Sequence, residues 1–315
     1  MIKRQLGRSG LSIAPIVFGG NVFGWTADKS TSFALMDAFV AHGFDCIDTA
    51  DVYARWVPGH TGGESETIIG EWLTARQSRD KVVIATKCGM AAGADGKFLS
   101  RASIIAAVEA SLKRLQTDYI DLYQAHKDDA DTPLEETLEA FASLVKAGKV
   151  RALGASNYKA DRLAQALKIS AANNWPRYET LQPEYNLAER GVFEGELQQL
   201  CVAESIGVIT FYSLASGFLT GKYRSLDDVA GRARAGGVKK YLDARGFRIL
   251  QALDEVAGRE RSTPARVALA WLLAQPAVAA PIVSATSVAQ LEDILGAASL
   301  KLSASDLDVL DSACG

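Results

Sequence analysis

Four polar residues, Asp48, Tyr53, Lys87 and His126, lie at or just beyond the ends of successive apolar, strand-like runs. The carboxyl ends of successive parallel strands meet on one face of a sheet or barrel, so these side chains are predicted to converge. A tyrosine, a lysine, an aspartate and a histidine in one place indicate a phenol that is tuned to donate a proton.

Tyr53 is the candidate acid of this group. A free phenol has a pKa of about 10 and is a poor proton donor at neutral pH. The Lys87 ammonium stabilises phenolate and is therefore expected to lower the pKa of Tyr53, while Asp48 would hold Lys87 in place. His126 would orient a carbonyl oxygen or relay a proton. Each residue alone has an ordinary structural explanation, so the hypothesis depends on the joint pattern.

Strand-like and helix-like segments alternate along the whole chain. Short runs rich in Ile, Val and Leu are typical of parallel strands that are buried on both faces. They occur at 16–20, 46–50, 82–87, 119–126, 150–157, 180–186, 207–214 and 279–285. Helical patterns follow around 31–42, 65–76, 103–115, 133–148, 159–171, 193–207, 244–275 and 288–298. Eight such units predict an α/β fold, a (β/α)₈ TIM barrel over residues 1–315 as a single domain, with an N-terminal β-hairpin and extra C-terminal helices.

Composition limits the classes of partner. The hydrophobic content of 48% is ample for a large core. The formal net charge of −3 argues against nucleic acid or an anionic membrane as a main partner, and no run approaches 18 apolar residues. The four cysteines are far apart and are expected to be free thiols of a cytoplasmic protein. No His or Cys pair has metal-ligand spacing, so no metal is expected. There is no GxGxxG after the first strand and no GxSxG motif, so neither a Rossmann site nor a serine hydrolase is supported.

Four sequence blocks together resemble the aldo-keto reductase superfamily. They are DTADVY (48–53), ATK (85–87), YQAH (123–126) and GASN (154–157). The similarity covers nearly the whole chain, which resembles the bacterial branch related to the β-subunits of voltage-gated potassium channels. It implies a (β/α)₈ barrel that transfers hydride between a nicotinamide cofactor and a small-molecule carbonyl or alcohol. Tyr53 would then be the acid/base, assisted by Lys87 and Asp48, with His126 positioning the carbonyl.

The same resemblance implies a set of cofactor-binding residues. Ser156, Asn157 and Gln182 would bind the nicotinamide carboxamide, with Gly20, Asn21 and Asp48 beside the ring. Phe211 or Tyr212 would stack on nicotinamide. The residues implied for the pyrophosphate segment are Ser213, Leu214, Gly217, Leu219, Gly221 and Lys222. Residues 215–243 are expected to form a mobile lid, from which Arg232 or Arg234 would clamp phosphate.

The adenosine end is expected in 281–294. The family often has a Lys or Arg here for the 2′-phosphate, whereas this chain offers Ser284, Thr286, Ser287 and Gln290. Hydroxyls and a helix N-terminus can still hold phosphate, so NADP(H) is favoured and NAD(H) is possible. Asp293 lies where an acidic residue commonly contacts adenine.

The loop after Tyr53 departs from the family pattern, because Ala54 stands where the family has Gly and an insertion precedes GESE (63–66). Trp56 from this insertion and Trp25 are predicted to form walls of the substrate site. The leading prediction is a carbonyl reductase. The alternatives are an NADP(H)-binding regulatory or interaction protein with very slow turnover and a sugar dehydrogenase that works in the oxidative direction. A homo-oligomer is possible.

Overall fold

The predicted strand positions form a closed parallel barrel. The computed structural model describes residues 2–231 and 235–314. The strands in these ranges are β1 (Arg4–Gln5), β2 (Ser12–Ile13), β3 (Val17–Gly19), β4 (Cys46–Asp48), β5 (Val83–Cys88), β6 (Ile120–Ala125), β7 (Val150–Ser156), β8 (Tyr178–Gln182), β9 (Gly207–Thr210) and β10 (Val278–Val283). Strands β3 to β10 pair in sequence order, and β10 returns to pair with β3. The predicted (β/α)₈ barrel is therefore confirmed.

Helices surround the barrel. They are α1 (Lys29–Ala41), α2 (Glu64–Arg76), α3 (Arg101–Leu115), α4 (Leu134–Lys146), α5 (Ala160–Ala172), α6 (Glu196–Ala203), α7 (Ala235–Lys239), α8 (Ala244–Arg259), α9 (Pro264–Ala274), α10 (Val288–Leu295) and α11 (Ala304–Ala313). The described part of the segment at 215–243, for which a mobile lid is predicted, contains 3₁₀ turns at Ala215–Thr220 and Asp227–Val229 as well as α7. None of the described helices has the length and apolar character that crossing a membrane requires.

The strand predicted at 207–214 is shorter than expected. It ends at Thr210, and Tyr212 has a φ of +50°, a left-handed conformation that cannot continue a strand. The chain therefore turns at Phe211–Ser213, and this turn brings both aromatic rings to the carboxyl end of the barrel.

The N-terminal hairpin lies at the amino end of the barrel. Leu6, Leu11 and Ile13 are buried in one cluster with Val17 and Ile209 from the barrel strands. Their packing fills the interior at this end. The carboxyl ends of the strands are left for a binding site.

Two helices begin next to the carboxyl end of the barrel with sequence signals for their first turns. The hydroxyl of Thr263 accepts a hydrogen bond from Arg266 N, and Pro264 follows at the first position of α9. The hydroxyl of Ser287 accepts one from Gln290 N at the start of α10. These caps fix the positions of two helix N-termini beside the same opening.

Gly70 provides a test of how tightly the outer helices pack. A Cβ at this position of α2 would clash with the carbonyl oxygen of Arg114 and would lie 2.8 Å from Cα of Leu115, both in α3. We expect Gly70→Ala to lower the free energy of unfolding by about 1–3 kcal/mol, because backbone atoms cannot move aside easily. The control is Gly258→Ala in α8, where a Cβ meets open space, and it should raise the free energy by about 0.5–1 kcal/mol. Urea titration measures both, and an unchanged midpoint for Gly70→Ala would contradict this close packing.

Candidate active site

A buried lysine links two of the four predicted residues. The Nζ of Lys87 donates to Asp48 Oδ2 at 2.6 Å, to the carbonyl oxygen of Thr49 at 2.7 Å and to the Tyr53 hydroxyl at 3.1 Å. Lys87 is 0% exposed and Asp48 is 2% exposed. Burial by itself lowers the pKa of Lys87, but the Asp48 carboxylate and the Tyr53 hydroxyl outweigh it, so the net pKa is raised. Lys87 is therefore a permanent ammonium behind Tyr53.

The second oxygen of Asp48 faces the neighbouring strands. Asp48 Oδ1 accepts from Gln182 Nε2 at 2.9 Å and from Gln124 Nε2 at 3.3 Å. One carboxylate thus connects Lys87 with Gln182, a predicted cofactor residue.

The pKa of Tyr53 is shifted in the direction opposite to the one expected. Burial raises it above its ordinary value, and this outweighs the lowering by the Lys87 ammonium. The prediction of a lowered pKa was wrong, because sequence shows the charged neighbour but not how far water is excluded. Tyr53 is consequently a neutral phenol at neutral pH.

His126 lies beside Tyr53, with 6.0 Å between the ring centroids. Burial and the nearby Lys87 ammonium hold its pKa well below the usual range, so the imidazole is neutral. Its Nδ1 is buried without a hydrogen-bond partner, and Asn157 Nδ2 donates to its backbone carbonyl at 2.9 Å.

These side chains open onto a cavity of about 930 Å³ at the carboxyl end of the barrel. The cavity is large enough for an extended ligand with both a reacting end and a distant end. The predicted residues that line it are Asn21, Asp48, Tyr53, Trp56, His126, Ser156, Asn157, Gln182, Phe211, Tyr212, Ser213, Leu214, Gly217, Lys222, Ser284, Thr286, Gln290 and Asp293.

Other predicted residues lie behind or outside the lining. Lys87 is behind Tyr53. Gly20 accepts a hydrogen bond from Ser65 at 2.7 Å, where a Cβ would crowd this contact. Leu219 is 0% exposed in the core, and Gly221 ends the 3₁₀ turn at a φ of +77°. Trp25 packs edge-on against Trp56 with 5.8 Å between the ring centroids, so it supports the wall from behind.

Arg232 and Arg234 lie outside the described residues. The phosphate clamp predicted for them stays a prediction.

Several lining residues were not predicted. They are Gly19, Val22, Thr26, Met90, Ser216, Thr220, Tyr223, Thr263, Pro264, Ala265, Ile282, Val283 and Ile294. Thr263 and Pro264 carried a usable signal, because a capping Thr followed by Pro marks a helix N-terminus. The apolar members carry none, since a buried Val or Ile in a strand reads the same whether or not it faces a cavity.

The donor set fits a nicotinamide nucleotide. Ser156, Asn157 and Gln182 present hydroxyl and amide groups at one end, which suit a carboxamide. Ala215, Ser216 and Gly217 are consecutive left-handed residues, with φ of +48°, +59° and +96°. Turns of this kind can form concave backbone sites for phosphate.

The far end of the cavity is more constrained than expected. The Ser284 hydroxyl is within hydrogen-bond distance of Asn21 Oδ1 (2.6 Å) and the Gly19 carbonyl oxygen (2.8 Å), so it connects β10 with β3. Gln290 Oε1 accepts from the backbone and the hydroxyl of Thr286. Asp293 pairs with Arg266 at 3.0 Å, which offsets its negative charge.

Among the described residues, no group of three or more His, Cys, Asp or Glu side chains is placed to hold a metal ion.

One carboxylate near the site has no assigned role. Asp51 Oδ1 is buried without a hydrogen-bond partner, and burial followed by repulsion from Glu66 raises the Asp51 pKa to about 7. Glu66 itself is held by Thr86 at 2.6 Å and by Arg114 at 2.7 Å.

Comparisons with known proteins agree with this geometry. Residues 15–314 match the aldo/keto reductase family. The chain is 34% identical to aldo-keto reductase AFTS1 of Alternaria alternata, over 99% of this chain and 91% of that protein. It is 36% identical to the oxidoreductase YrpG of Bacillus subtilis, over 97% and 94% of the two chains. It is 29% identical to norsolorinic acid reductase of Aspergillus flavus, over 97% and 79%.

Asp51 gives a pH-dependent prediction for stability. The carboxyl loses its proton near the ordinary value of 3.8 in the unfolded chain and only at a pKa of about 7 in the native protein, so stability falls as pH rises through this window. We expect Asp51→Asn to stabilise the protein, with a gain that grows by about 2 kcal/mol from pH 5 to pH 8. Urea titrations at both pH values measure this. Asp80→Asn, at an exposed position, is the control. An equal pH-dependent change in the free energy of unfolding of the two variants would contradict a raised pKa of Asp51.

Proposed function

The chain belongs to the aldo/keto reductase family, and we propose that it reduces an aldehyde or ketone to an alcohol with NAD(P)H as hydride donor and Tyr53 as proton donor. The observation that carries the proposal is the hydrogen-bonded chain from Asp48 through the buried Lys87 to the Tyr53 hydroxyl, at the edge of the large cavity. Four buried free thiols support a reducing compartment such as the cytoplasm.

Tyr53 has the protonation state that reduction needs. A bound nicotinamide nucleotide supplies the hydride, and the carbonyl oxygen becomes strongly basic as the hydride reaches the carbon. Tyr53 donates its proton to that oxygen, and the alcohol is formed. The phenolate left on Tyr53 is stabilised by the Lys87 ammonium 3.1 Å away until a proton from solvent restores the phenol.

His126 is suited to orient the carbonyl group. A neutral imidazole carries one N–H, and Nδ1 meets no acceptor. The proton is then best placed on Nε2, which can donate to the carbonyl oxygen beside Tyr53. The hydrogen bond would hold the oxygen within reach of the phenol.

The same residues serve both directions of the reaction. Reduction uses the neutral phenol of Tyr53 as acid, and alcohol oxidation, as in a sugar dehydrogenase, uses its phenolate as base. Reduction is the direction we propose, and comparing turnover of aldehydes with turnover of alcohols tests it. The hydrogen-bonded chain would also be intact in a regulatory protein with very slow turnover, so steady-state turnover with simple aldehydes distinguishes that alternative from the enzyme.

NADP(H) is the cofactor we propose for the far end of the cavity. Thr286 and Gln290 line it at the N-terminus of α10, where backbone N–H groups favour an anionic group such as a 2′-phosphate. Lys222 follows the 3₁₀ turn at Ala215–Thr220, and its Nζ lies 5.0 Å from the centroid of the Tyr223 ring. This position suits the pyrophosphate, which NADPH and NADH share. Discrimination would then depend on Thr286 and Gln290.

Replacing Tyr53 tests the proton donor. We expect Tyr53→Phe to lower kcat for aldehyde reduction by about 10²- to 10⁴-fold, because the carbonyl oxygen loses its acid, with no change in the Kd of the nucleotide. Tyr123→Phe is a matched control, since Tyr123 is fully buried and outside the cavity lining. Steady-state kinetics and nucleotide titration give both readouts, and wild-type turnover in Tyr53→Phe would remove Tyr53 from the mechanism.

Side-by-side titration with NADPH and NADH tests the cofactor. We expect NADPH to bind about tenfold more tightly, from hydrogen bonds to a charged phosphate. Thr286→Ala should weaken NADPH binding and leave NADH binding unchanged. Equal dissociation constants in the wild type would show that the N-terminus of α10 does not recognise the 2′-phosphate, and binding of neither nucleotide would overturn the proposed function.

A further inference from the structure

Two large aromatic side chains are exposed at the rim of the cavity. Trp56 is 46% exposed and Tyr212 is 52% exposed, and both line the cavity. The other large hydrophobic side chains that are exposed in the described ranges lie outside its lining, at Ile2, Val192, Val202, Leu226 and Phe247. Exposed rings that converge on a cavity indicate contact with a ligand.

Tyr212 is held in an unfavourable backbone conformation. Its φ of +50° lies in the left-handed region, which large side chains rarely adopt. The carbonyl oxygen of Tyr212 accepts from Asn186 Nδ2 at 3.0 Å and from Ala215 N at 2.6 Å. Asn186 is fully buried, and its Oδ1 accepts from two further backbone amides. A conformation fixed this firmly beside a cavity indicates a functional position.

Phe211 and Tyr212 differ in their surroundings. Phe211 packs against the buried barrel cluster, and its backbone pairs with Pro183 and Tyr185. The two rings are 5.3 Å apart at 60°, with Tyr212 on the side toward solvent. Phe211 therefore suits the nicotinamide ring, and Tyr212 is left for the substrate.

The position of Trp56 relative to the reacting hydroxyl is also fixed. Its ring packs edge-on against Tyr53, with 5.9 Å between centroids, and against Trp25 on another side. A ligand that contacts Trp56 is thereby placed next to Tyr53.

Among the described residues, the lining at the reacting end has no cationic side chain for an acidic substrate, although Arg55 and Lys127 lie close enough outside it to lower the pKa of His126. The charged residues in the lining are Asp48, which is paired with Lys87, and Lys222 and Asp293 in the predicted cofactor segments. Arg55 is outside the lining, and its Nη1 donates to the Met90 carbonyl at 2.9 Å. An anionic substrate would lose hydration without a partner in the lining.

We propose that Trp56 and Tyr212 form an aromatic clamp that selects a planar, uncharged carbonyl compound as substrate. The inference rests on the proposed function and assigns Tyr212 to the substrate rather than to nicotinamide. Aromatic contacts reward flat substrates beyond the area that they bury.

Three aldehydes test the clamp in the wild-type holoenzyme. Methyl 4-formylbenzoate is planar and uncharged, 4-formylbenzoate has the same ring with a carboxylate, and cyclohexanecarbaldehyde is uncharged but not planar. We expect kcat/KM for the methyl ester to exceed that for cyclohexanecarbaldehyde by roughly 2- to 12-fold, the range of one aromatic pair, and to exceed that for the carboxylate. No preference for the planar ester, or preference for the carboxylate, would overturn the proposal.

Variants separate the clamp from the cofactor site. Trp56→Leu and Tyr212→Asn should each raise KM for methyl 4-formylbenzoate by roughly 2- to 12-fold while the Kd of NADPH stays unchanged. Asn is chosen because it tolerates the left-handed conformation. Phe247→Ala removes an exposed ring from α8, outside the cavity lining, and should change neither value. Weaker NADPH binding by Tyr212→Asn would show that Tyr212 contacts the cofactor and would contradict its role in the clamp.

Equilibrium binding keeps the two proposals distinguishable. Titration calorimetry of the NADPH complex with methyl benzoate, which cannot be reduced at an aldehyde, reports the clamp without turnover. Weaker binding by Trp56→Leu and Tyr212→Asn supports the clamp even if no aldehyde is reduced, in which case the proposed function alone fails. Unchanged binding in both variants overturns the clamp.

Discussion

The candidate site depends on an ammonium group that is kept out of water. A buried lysine charge is tolerated only where hydrogen-bond acceptors replace its hydration shell. Lys87 has three, namely the Asp48 carboxylate, the Thr49 carbonyl and the Tyr53 hydroxyl. They come from the end of β4 and the loop after it, while Lys87 comes from β5. The register of these two strands therefore determines whether Tyr53 has its partner.

The closed barrel connects the Lys87 hydrogen bonds with the strands proposed to hold the nicotinamide. Asp48 uses one oxygen for Lys87 and the other for Gln124 and Gln182 on β6 and β8. The Asp48 carboxylate thus lies between Lys87, which we propose for proton transfer, and Gln182, which we propose as a contact of nicotinamide. Closure is needed for this geometry, because in an open sheet β4 and β8 would lie far apart.

Sequence predicted the features that depend on strand ends. The barrel and the convergence of Asp48, Tyr53 and His126 follow from the positions of apolar runs, with Lys87 behind them. Features set by desolvation and loop geometry could not be predicted from the sequence. The raised pKa of Tyr53, for example, depends on how its three-dimensional surroundings exclude water. The left-handed turn at Tyr212 is likewise hidden, because the run at 207–214 reads as one apolar strand. At the end of the cavity farthest from Tyr53, Asp293 of α10 pairs with Arg266 of α9. No local sequence pattern predicts how these two helices pack.

The hydrogen bonds of Ser284 have a consequence for the order in which the protein forms. Ser284 follows β10 and reaches Gly19 and Asn21 at the end of β3, so the seam where the barrel closes runs through the cavity. Strand β3 is synthesised long before β10. The complete cavity therefore cannot form until β10 has left the ribosome, and a nucleotide that needs both edges of the seam binds and stabilises only chains that have closed the barrel.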